Sequence, residues 1–431
     1  MLSRWWVAGL LALGMLVPSA LPPAAAARSS AGRGSAVRGA AGRAAAGHGS
    51  LARASAARGS LPRVPFGFVG MNVDQPVWPN PGVDFSHQLD VMAGAGVDSI
   101  RAVIDWSATQ PYASWSQVPA GQRSQYVDVG GVPTDFTDID ALVGLAAQHD
   151  MQLLPVVMNA PAWDGLNFKG QVTAPRTPGP YAAFLRALVD RYGPRGSFWQ
   201  ENPQIPRRPV EMWQVWNEPN IWAFWPQAPA PWYRGYIALL RAAHAAIKRA
   251  DPRAKVVLAG MPNYSWINLR ELIRHGARNL FDVVDVHPYT LTPGGVITIL
   301  GYARQVLDRY GRRGVPLLAG EISWPSSAGQ GAIRVGFDIG TTEAGQARKI
   351  GTLLPLLARY RRSLGLEGFY YYNWAGLERH GAEAFDFSGL FRYSQSTFQF
   401  TAKPAYYVFR ADALAMEGCR SKGPLADECV R

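Results

Sequence analysis

Short runs rich in β-branched and aromatic residues alternate with longer amphipathic stretches along most of this 431-residue chain. The pattern predicts eight strands, each followed by a helix. The predicted strands span residues 64–72, 98–104, 152–158, 209–216, 255–260, 282–287, 315–321 and 366–373. Eight strand–helix units in a single domain are typical of a closed parallel (β/α)8 barrel, the TIM barrel, which is the α/β fold that we predict here.

The predicted helices are clearest at residues 180–192, 232–248 and 403–414, where apolar side chains recur every three or four positions. An open doubly wound sheet is the other common architecture with this alternation. The Gly-x-Gly-x-x-Gly pattern typical of its dinucleotide-binding members does not follow the first predicted strand. The barrel is therefore the favoured fold.

The N-terminal region has a different composition. Residues 1–27 contain a basic start, an apolar run and an alanine-rich stretch, which are the three parts of a secretion signal. A cleaved signal peptide and a secreted protein are the expectation; an uncleaved membrane anchor with the protein facing outside is the alternative. Residues 28–62 are mainly Ala, Gly, Ser and Arg and are expected to form a disordered linker, because they can bury little apolar surface.

The net charge of +12 raises the possibility of nucleic-acid binding. However, eight arginines and no acidic residue lie in the first 63 positions, which leaves only about four net charges for the rest of the chain. The basic tract has no aromatic residue after position 6 on which a base could stack. We therefore expect no specific nucleic-acid partner.

The boundaries that follow are a barrel domain over residues 63–415 and a C-terminal tail over residues 416–431. The tail holds the two cysteines of the chain, Cys419 and Cys429, and a disulfide between them is plausible in an exported protein. Histidines do not occur in metal-ligand spacing with cysteines or acids, so neither a metal nor another cofactor is expected.

Two glutamates occur in matching positions at the ends of predicted strands. Glu218 lies in Trp-Asn-Glu-Pro-Asn after the fourth strand, and Pro219 cannot continue the ladder. Glu321 ends the seventh strand, about a hundred residues later. Alone, each glutamate is better explained as a solvated strand-end acid. In a parallel barrel, however, both would face the mouth where active sites lie, and paired carboxylates are what glycoside hydrolysis requires.

These residues resemble clan A of the glycoside hydrolases, over roughly residues 64–415. The run Tyr192-Gly-Pro-Arg-Gly-Ser-Phe-Trp199 before Trp-Asn-Glu-Pro-Asn is most similar to glycoside hydrolase family 39 and related bacterial exopolysaccharide glycosidases, with the cellulase-like family 5 next. The resemblance implies that Glu218 is the acid/base and Glu321 the nucleophile. It also implies that Asn217 binds the sugar 2-hydroxyl.

Further site residues follow from the same resemblance. Arg101 is similar to the arginine near the nucleophile, His287 and Tyr289 to the His-x-Tyr element, and Trp374 to the aromatic floor under the sugar. Two of these residues have a simpler alternative. Arg101 could be an ordinary ion-pair residue of the barrel, and His287 could be a hydrogen-bonded core histidine. Tryptophans in the connections at the mouth suit stacking on sugar rings, although they could also belong to the core; they are Trp163, Trp222 and Trp324.

The predicted function is a retaining glycoside hydrolase acting on a β-linked polysaccharide or oligosaccharide. A transglycosidase would use the same site, and a non-catalytic carbohydrate-binding barrel is the alternative from another class. The retaining mechanism predicts a distance between the two glutamates and a pKa for one of them. The carboxyl groups of Glu218 and Glu321 should lie about 5 to 5.5 Å apart. Burial and the charge of Glu321 should raise the pKa of Glu218.

Overall fold

The computed structural model describes residues 61–262, 264–333 and 338–417. Within these ranges, eight parallel strands close into a barrel. They are β1 (Val69–Asn72), β2 (Ser99–Asp105), β3 (Gln152–Met158), β4 (Met212–Val215), β5 (Lys255–Leu258), β6 (Val283–Val286), β7 (Leu317–Ile322) and β8 (Leu366–Tyr371). Each strand pairs with the next along the chain, and β8 pairs with β1. The predicted (β/α)8 barrel is confirmed.

A helix on the outside of the barrel follows each strand. These helices are α1 (Phe85–Gly94), α2 (Thr137–Gln148), α3 (Pro178–Tyr192), α4 (Trp232–Ala250), α5 (Ser265–Leu272), α6 (Pro293–Arg309), α7 (Glu343–Leu364) and α8 (Pro404–Glu417). Helix α8 runs two residues past the predicted boundary at 415, because Met416 is fully buried and its carbonyl accepts a hydrogen bond from the Val64 N–H at 3.0 Å.

Local sequence signals set several helix ends. Thr292 and Thr342 cap α6 and α7 by accepting hydrogen bonds from the N–H groups of Gly295 and Gly345. Helix α7 ends at Gly365, whose φ of +62° is a left-handed conformation that favours glycine. Strand β8 begins at the next residue, so this glycine turns the chain directly from helix to strand.

Two layers of apolar side chains hold the barrel. The inner layer closes the barrel below its mouth and consists of Leu154, Val257, Val283, Leu318 and Tyr370. The outer layer fills the space between strands and helices and includes α4 residues at helical spacing. Two buried phenols tie helices to strand ends near the mouth: Tyr181 donates to the Val157 carbonyl at 2.7 Å and Tyr236 to the Val215 carbonyl at 3.0 Å.

Additional short elements lie outside the eight strand–helix units. A hairpin of Val127–Val129 and Val132–Thr134 follows β2, and a three-stranded sheet of Ala375–Gly376, Phe391–Ser394 and Gln399–Ala402 follows β8. Short helical turns occur at Trp106–Thr109, Trp115–Gln117, Ala120–Gln125, Ser197–Glu201, Ile273–Ala277 and Ala384–Phe387.

The signal or anchor at 1–27, most of the linker at 28–62 and both cysteines lie outside the described residues. Leu61, which falls within the predicted linker, packs against the core. Among the helices of the described ranges, none combines the length and the apolar character that crossing a bilayer requires.

Candidate active site

The turn after β4 presents Glu218 to the barrel mouth. The strand ends at Val215, one residue earlier than predicted, and Glu218 lies three residues beyond it. Trp216 and Glu218 have φ angles of +71° and +42°, and the Glu218 N–H donates to the Gly260 carbonyl at 3.0 Å. Positive φ is costly for residues other than glycine, and such strain clusters at functional sites.

Glu321 lies within β7 and is held by two donors. Arg101 Nη1 donates to its Oε1 at 2.9 Å, and the Tyr289 hydroxyl donates to its Oε2 at 2.9 Å. The residue is only 7% exposed. Each oxygen of this buried carboxylate therefore has a hydrogen-bond donor, one from a cation and one from a phenol.

The two glutamates face each other across the mouth. One carboxylate oxygen from each, together with a ring nitrogen of His287, lie within 4.8 Å of one another. His287 Nδ1 is 2.7 Å from Glu218 Oε1 and 3.6 Å from Glu321 Oε2. Among the described residues this trio has spacing that could hold a metal ion. Because both oxygens of Glu321 already accept hydrogen bonds from Arg101 and Tyr289, the arrangement fits a carboxylate pair better than a metal site.

Arg101 on β2 organises the side chains around Glu321. Its Nη2 donates to Asn217 Oδ1 at 2.8 Å, its Nη1 also donates to Asn72 Oδ1 at 2.7 Å, and its Nε donates to Gln214 Oε1 at 3.1 Å. Because the oxygen of Asn217 is taken by Arg101, its amide NH2 group is the part oriented to donate. This is the donor that a sugar hydroxyl requires.

Burial raises the pKa of Glu218 from its ordinary value to about 7. The hydrogen bond and charge of His287 oppose this shift, and the negative charge of Glu321 adds to it. The pKa of Glu218 is therefore raised by the two causes expected from the sequence. Near neutral pH, Glu218 can both hold and release a proton.

Burial and nearby charges shift the pKa values of the groups around the glutamates. Burial and the charge of Glu321 raise the pKa of Tyr289 well above its ordinary value, so its phenol remains a donor. Burial alone would lower the pKa of His287, but the negative charges of Glu321, Asp285 and Glu218 outweigh it and raise that pKa. The surrounding carboxylates thus favour the protonated imidazole.

Two of the four predicted tryptophans are placed differently from the prediction. Trp374 and Trp324 are fully buried, with their ring N–H groups donating to Gln88 Oε1 and the Thr290 carbonyl. Neither ring has a face open to a sugar, which corrects both assignments: β8 ends at Tyr371, and the chain beyond it carries Trp374 back into the core. Trp163 is half-buried, and Trp222 is 37% exposed.

The site also contains residues that the sequence alone did not indicate. Tyr372 is half-buried, and burial together with the charges of Asp74, Glu321 and Glu218 raises the pKa of its phenol. Asp74, just beyond β1, is half-buried as well; burial and the charge of Glu321 raise its pKa to about 6. Tyr372 thus lies beside the carboxylates, two positions before the predicted Trp374.

Comparison with known proteins shows the fold. No protein-family model and no curated protein sequence matches the chain. Solved structures with a similar barrel include a glucosidase from Croceicoccus marinus (16% identity, TM-score 0.58, covering 83% of this chain and 69% of that one). A GH39 β-xylosidase from Caulobacter crescentus has 18% identity and a TM-score of 0.57, covering 82% of this chain and 72% of that one. The GH53 catalytic domain from Ignisphaera aggregans has 21% identity, a TM-score of 0.50 and coverage of 82% and 99%.

Proposed function

We propose that this protein is a retaining glycoside hydrolase that cleaves O-glycosidic bonds of a β-linked polysaccharide or oligosaccharide. The observation that carries the proposal is the pairing of Glu218 and Glu321, with oxygens within 4.8 Å across the mouth. Retaining enzymes place their carboxyl groups about 5 to 5.5 Å apart, whereas inverting enzymes separate them by about 6.5 to 9.5 Å to admit a water. The fold shared with a glucosidase and a GH39 β-xylosidase supports the same class.

In the first step, Glu321 attacks the anomeric carbon while Glu218 protonates the leaving oxygen. A bond forms between Glu321 and the sugar, the glycosidic bond breaks, and the proton of Glu218 leaves with the released alcohol. The distinct environments of the two carboxyl groups support these roles. Glu321 is bonded to Arg101 and Tyr289, whereas burial raises the pKa of Glu218 to about 7.

In the second step, Glu218 acts as a base. It takes a proton from a water molecule, which attacks the anomeric carbon and releases the sugar from Glu321 with its original configuration. Both enzyme groups return to their starting states, so no cofactor enters the chemistry. If a sugar hydroxyl replaced water, the same steps would amount to transglycosylation.

Substrate positioning is assigned to groups that line the mouth. Asn217 presents its amide NH2 because Arg101 occupies its oxygen, which suits a hydrogen bond to the sugar 2-hydroxyl. Trp222, in the connection after β4 and with 37% of its surface exposed, is the aromatic residue assigned to stacking on a sugar ring. Export of the protein, proposed from the composition of residues 1–27, would place this site where extracellular polysaccharides occur.

A mechanism-based label tests the proposal. The protein would be incubated with 2,4-dinitrophenyl 2-deoxy-2-fluoro-β-glucoside and the corresponding β-xyloside. The fluorine slows hydrolysis of the glycosyl ester more than it slows formation of the ester, so the ester accumulates. We expect a covalent sugar on the peptide that contains Glu321, identified by mass spectrometry. A label on another carboxyl group would refute the role of Glu321.

A variant provides the second arm of this test. Glu321→Ala should lose turnover of aryl β-glycosides by several orders of magnitude, and azide should restore it with a product of inverted anomeric configuration. The exposed Glu367→Gln, which alters only a surface ion pair with Lys255, is the matched control and should keep wild-type activity. Saccharide binding without turnover by the wild-type protein would instead favour a non-catalytic carbohydrate-binding barrel.

A further inference from the structure

Directly below the proposed catalytic pair lies a third buried carboxylate. Asp285 on β6 is 0% exposed. Its Oδ2 is 3.4 Å from His287 Nε2 and 3.9 Å from Arg101 Nε. Neither of its oxygens has a hydrogen-bond donor at standard distance and angle among the residues that the structure describes. A carboxylate in this position is costly unless nearby cations balance its charge.

The fold leaves space for this carboxylate. A Cβ atom at position 320 would lie 2.2 Å from Asp285 Oδ2. A Cβ atom at position 260 would collide with His287 Nε2 and lie 2.6 Å from Asp285 Oδ2. Gly260 follows β5 and Gly320 belongs to β7, so two separate elements omit a side chain around one acid. The absence of a side chain at both positions therefore makes room for Asp285 and His287.

The charges of the neighbouring buried groups indicate the role of Asp285. The buried groups at the barrel axis are Arg101, His287, Asp285, Glu321 and Glu218. With two cations balancing two anions, this cluster is neutral when Glu218 carries its proton. If Glu218 ionises as well, the cluster has a net charge of −1 in a region where an unbalanced charge is strongly disfavoured.

We propose that Asp285 is a positioning residue that holds His287 as an imidazolium against Glu218, so that this five-residue cluster is charge-balanced in the free enzyme only when Glu218 is protonated. This inference rests on the proposed function, since it concerns the proton that the first step consumes. The chain of contacts runs from Asp285 Oδ2 through Nε2 and Nδ1 of His287 to Glu218 Oε1. Arg101 Nη2 also lies 3.4 Å from His287 Nε2, so the titration of His287 decides which of the two neighbours determines the state of this nitrogen.

The same charge balance holds after the first step. When Glu321 becomes a neutral glycosyl ester, Glu218 has lost its proton to the leaving group and is negative. Arg101 and His287 are then balanced by Asp285 and Glu218, and the cluster is again neutral. Water returns a proton to Glu218 as the ester breaks, which restores the first arrangement. Asp285 thus supplies the negative charge that the five-residue cluster needs for balance in both resting states.

Other titratable groups face the cluster from neighbouring elements. They are Asp74 after β1, Tyr236 on α4, Tyr289 after β6, and Tyr370 and Tyr372 at the end of β8. Burial raises the pKa of each phenol, so all four remain neutral near pH 7. Asp74 is half-buried and is not one of the five groups counted above. Once ionised above about pH 6, it adds a further negative charge beside them and favours protonation in the same direction as Asp285. When the wild type and Asp285→Asn are compared above pH 7, the charge of Asp74 is the same in both proteins.

Titration of His287 tests the proposal without any substrate. The full chain would be labelled with ¹⁵N-histidine, and the His287 signal, one of seven, would be assigned by its loss in His287→Gln. We expect the wild-type imidazole to remain protonated through pH 8. In Asp285→Asn, the pKa of His287 should be lower by about one pH unit or more. Asp190→Asn, which removes an equal charge from an exposed pair on α3, should leave the titration unchanged.

Enzyme assays give the second readout. Removing a buried anion makes proton loss from the Glu218–His287 pair easier, so the alkaline limb of kcat/KM in Asp285→Asn should move about one pH unit lower. A purely structural role for Asp285 would lower activity equally at all pH values. A wild-type His287 that titrates near or below its ordinary pKa of about 6.5 would overturn the proposal, even if Asp285→Asn failed to fold. The titration needs no turnover. A protein that lacks glycosidase activity would therefore refute the proposed function but would leave the proposed role of Asp285 to be decided by the titration.

Discussion

At the scale of single residues, the buried arginine explains why the predicted site residues converge. Arg101 bonds to Glu321 and Asn217 with separate nitrogens, and only its guanidinium has enough donors for this geometry. The alternative of an ordinary barrel ion-pair residue fails to account for its bonds to three amide side chains, Asn72, Gln214 and Asn217. The arginine fixes the amide that would meet the sugar as well as the carboxylate that would attack it.

Tyr289 should act on the nucleophile and not on the fold. In Tyr289→Phe the ring is retained but the 2.9 Å hydrogen bond to Glu321 is lost. Hydrogen bonds to charged groups contribute about 1.5 to 3 kcal/mol, so kcat/KM for an aryl β-glycoside should fall about 10- to 100-fold. Tm should change little. Tyr302→Phe, on the exposed side of α6, is the matched control, and equal activity in the two variants would contradict the role of Tyr289.

The pH profile should report the proton on Glu218. The acid must be protonated for the first step, so activity is present below its pKa and is lost as the pH rises through about 7. With a 2,4-dinitrophenyl glycoside, whose leaving group needs no acid, Glu218→Gln should retain the first step and lose the alkaline limb. Burst kinetics between pH 5 and 9 would measure this. An alkaline limb that persists in the variant would assign it to another group.

The sequence indicated which residue types meet at the mouth but not every side-chain direction. Glu218, Glu321 and Tyr289 could be placed because strand ends in a parallel barrel converge. Trp374 was misplaced, and Tyr372 missed, because the chain leaves the regular strand geometry at Tyr371. Beyond that point the alternation of side chains no longer determines which one faces the cleft.

At the scale of elements, the barrel strands were predictable and the additional sheet was not. Strands buried on both faces read as continuous apolar runs, as at Gln152–Met158 and Leu317–Ile322. The sheet after β8 has strands of only two to four residues, such as Ala375–Gly376. Strands this short depend on tertiary contacts, so local sequence gives little sign of them.

A buried lysine joins this additional sheet to the barrel. Lys403, which is 0% exposed, donates to Glu378 Oε1 and Ser326 Oγ at 2.7 Å each and to the Phe387 carbonyl at 3.0 Å. Lys403→Met should destabilise the fold by about 3 kcal/mol, because it leaves these acceptors buried with one donor fewer. Chemical denaturation would measure the loss. Lys255→Met, in an exposed ion pair, should stay within about 0.5 kcal/mol, and equal stability of the two variants would contradict this account.

At the scale of the whole molecule, the barrel closes where its first and last segments meet. Val64 is 1% exposed, and its N–H donates to the carbonyl of Met416 at the end of α8. Leu61 packs against the same core. Residues 1–60, by contrast, have few large apolar side chains after the apolar run near the N-terminus. Folding and small-substrate turnover should therefore depend on the chain from Leu61 onward.

Two truncations locate that boundary. Removal of residues 1–60 should leave Tm and turnover of an aryl glycoside unchanged, since composition predicts little buried surface there. Removal of residues 1–65 also deletes Val64, with its fully buried side chain and its hydrogen bond to Met416. Burial of a valine contributes about 1.5 to 3 kcal/mol and a backbone hydrogen bond about 1 kcal/mol, so the shorter protein should unfold several degrees lower. Scanning calorimetry of both proteins would decide. A lower Tm after the first truncation would mean that residues before Leu61 pack on the barrel, whereas equal Tm values for the two truncations would mean that the contact between Val64 and α8 does not stabilise its closure.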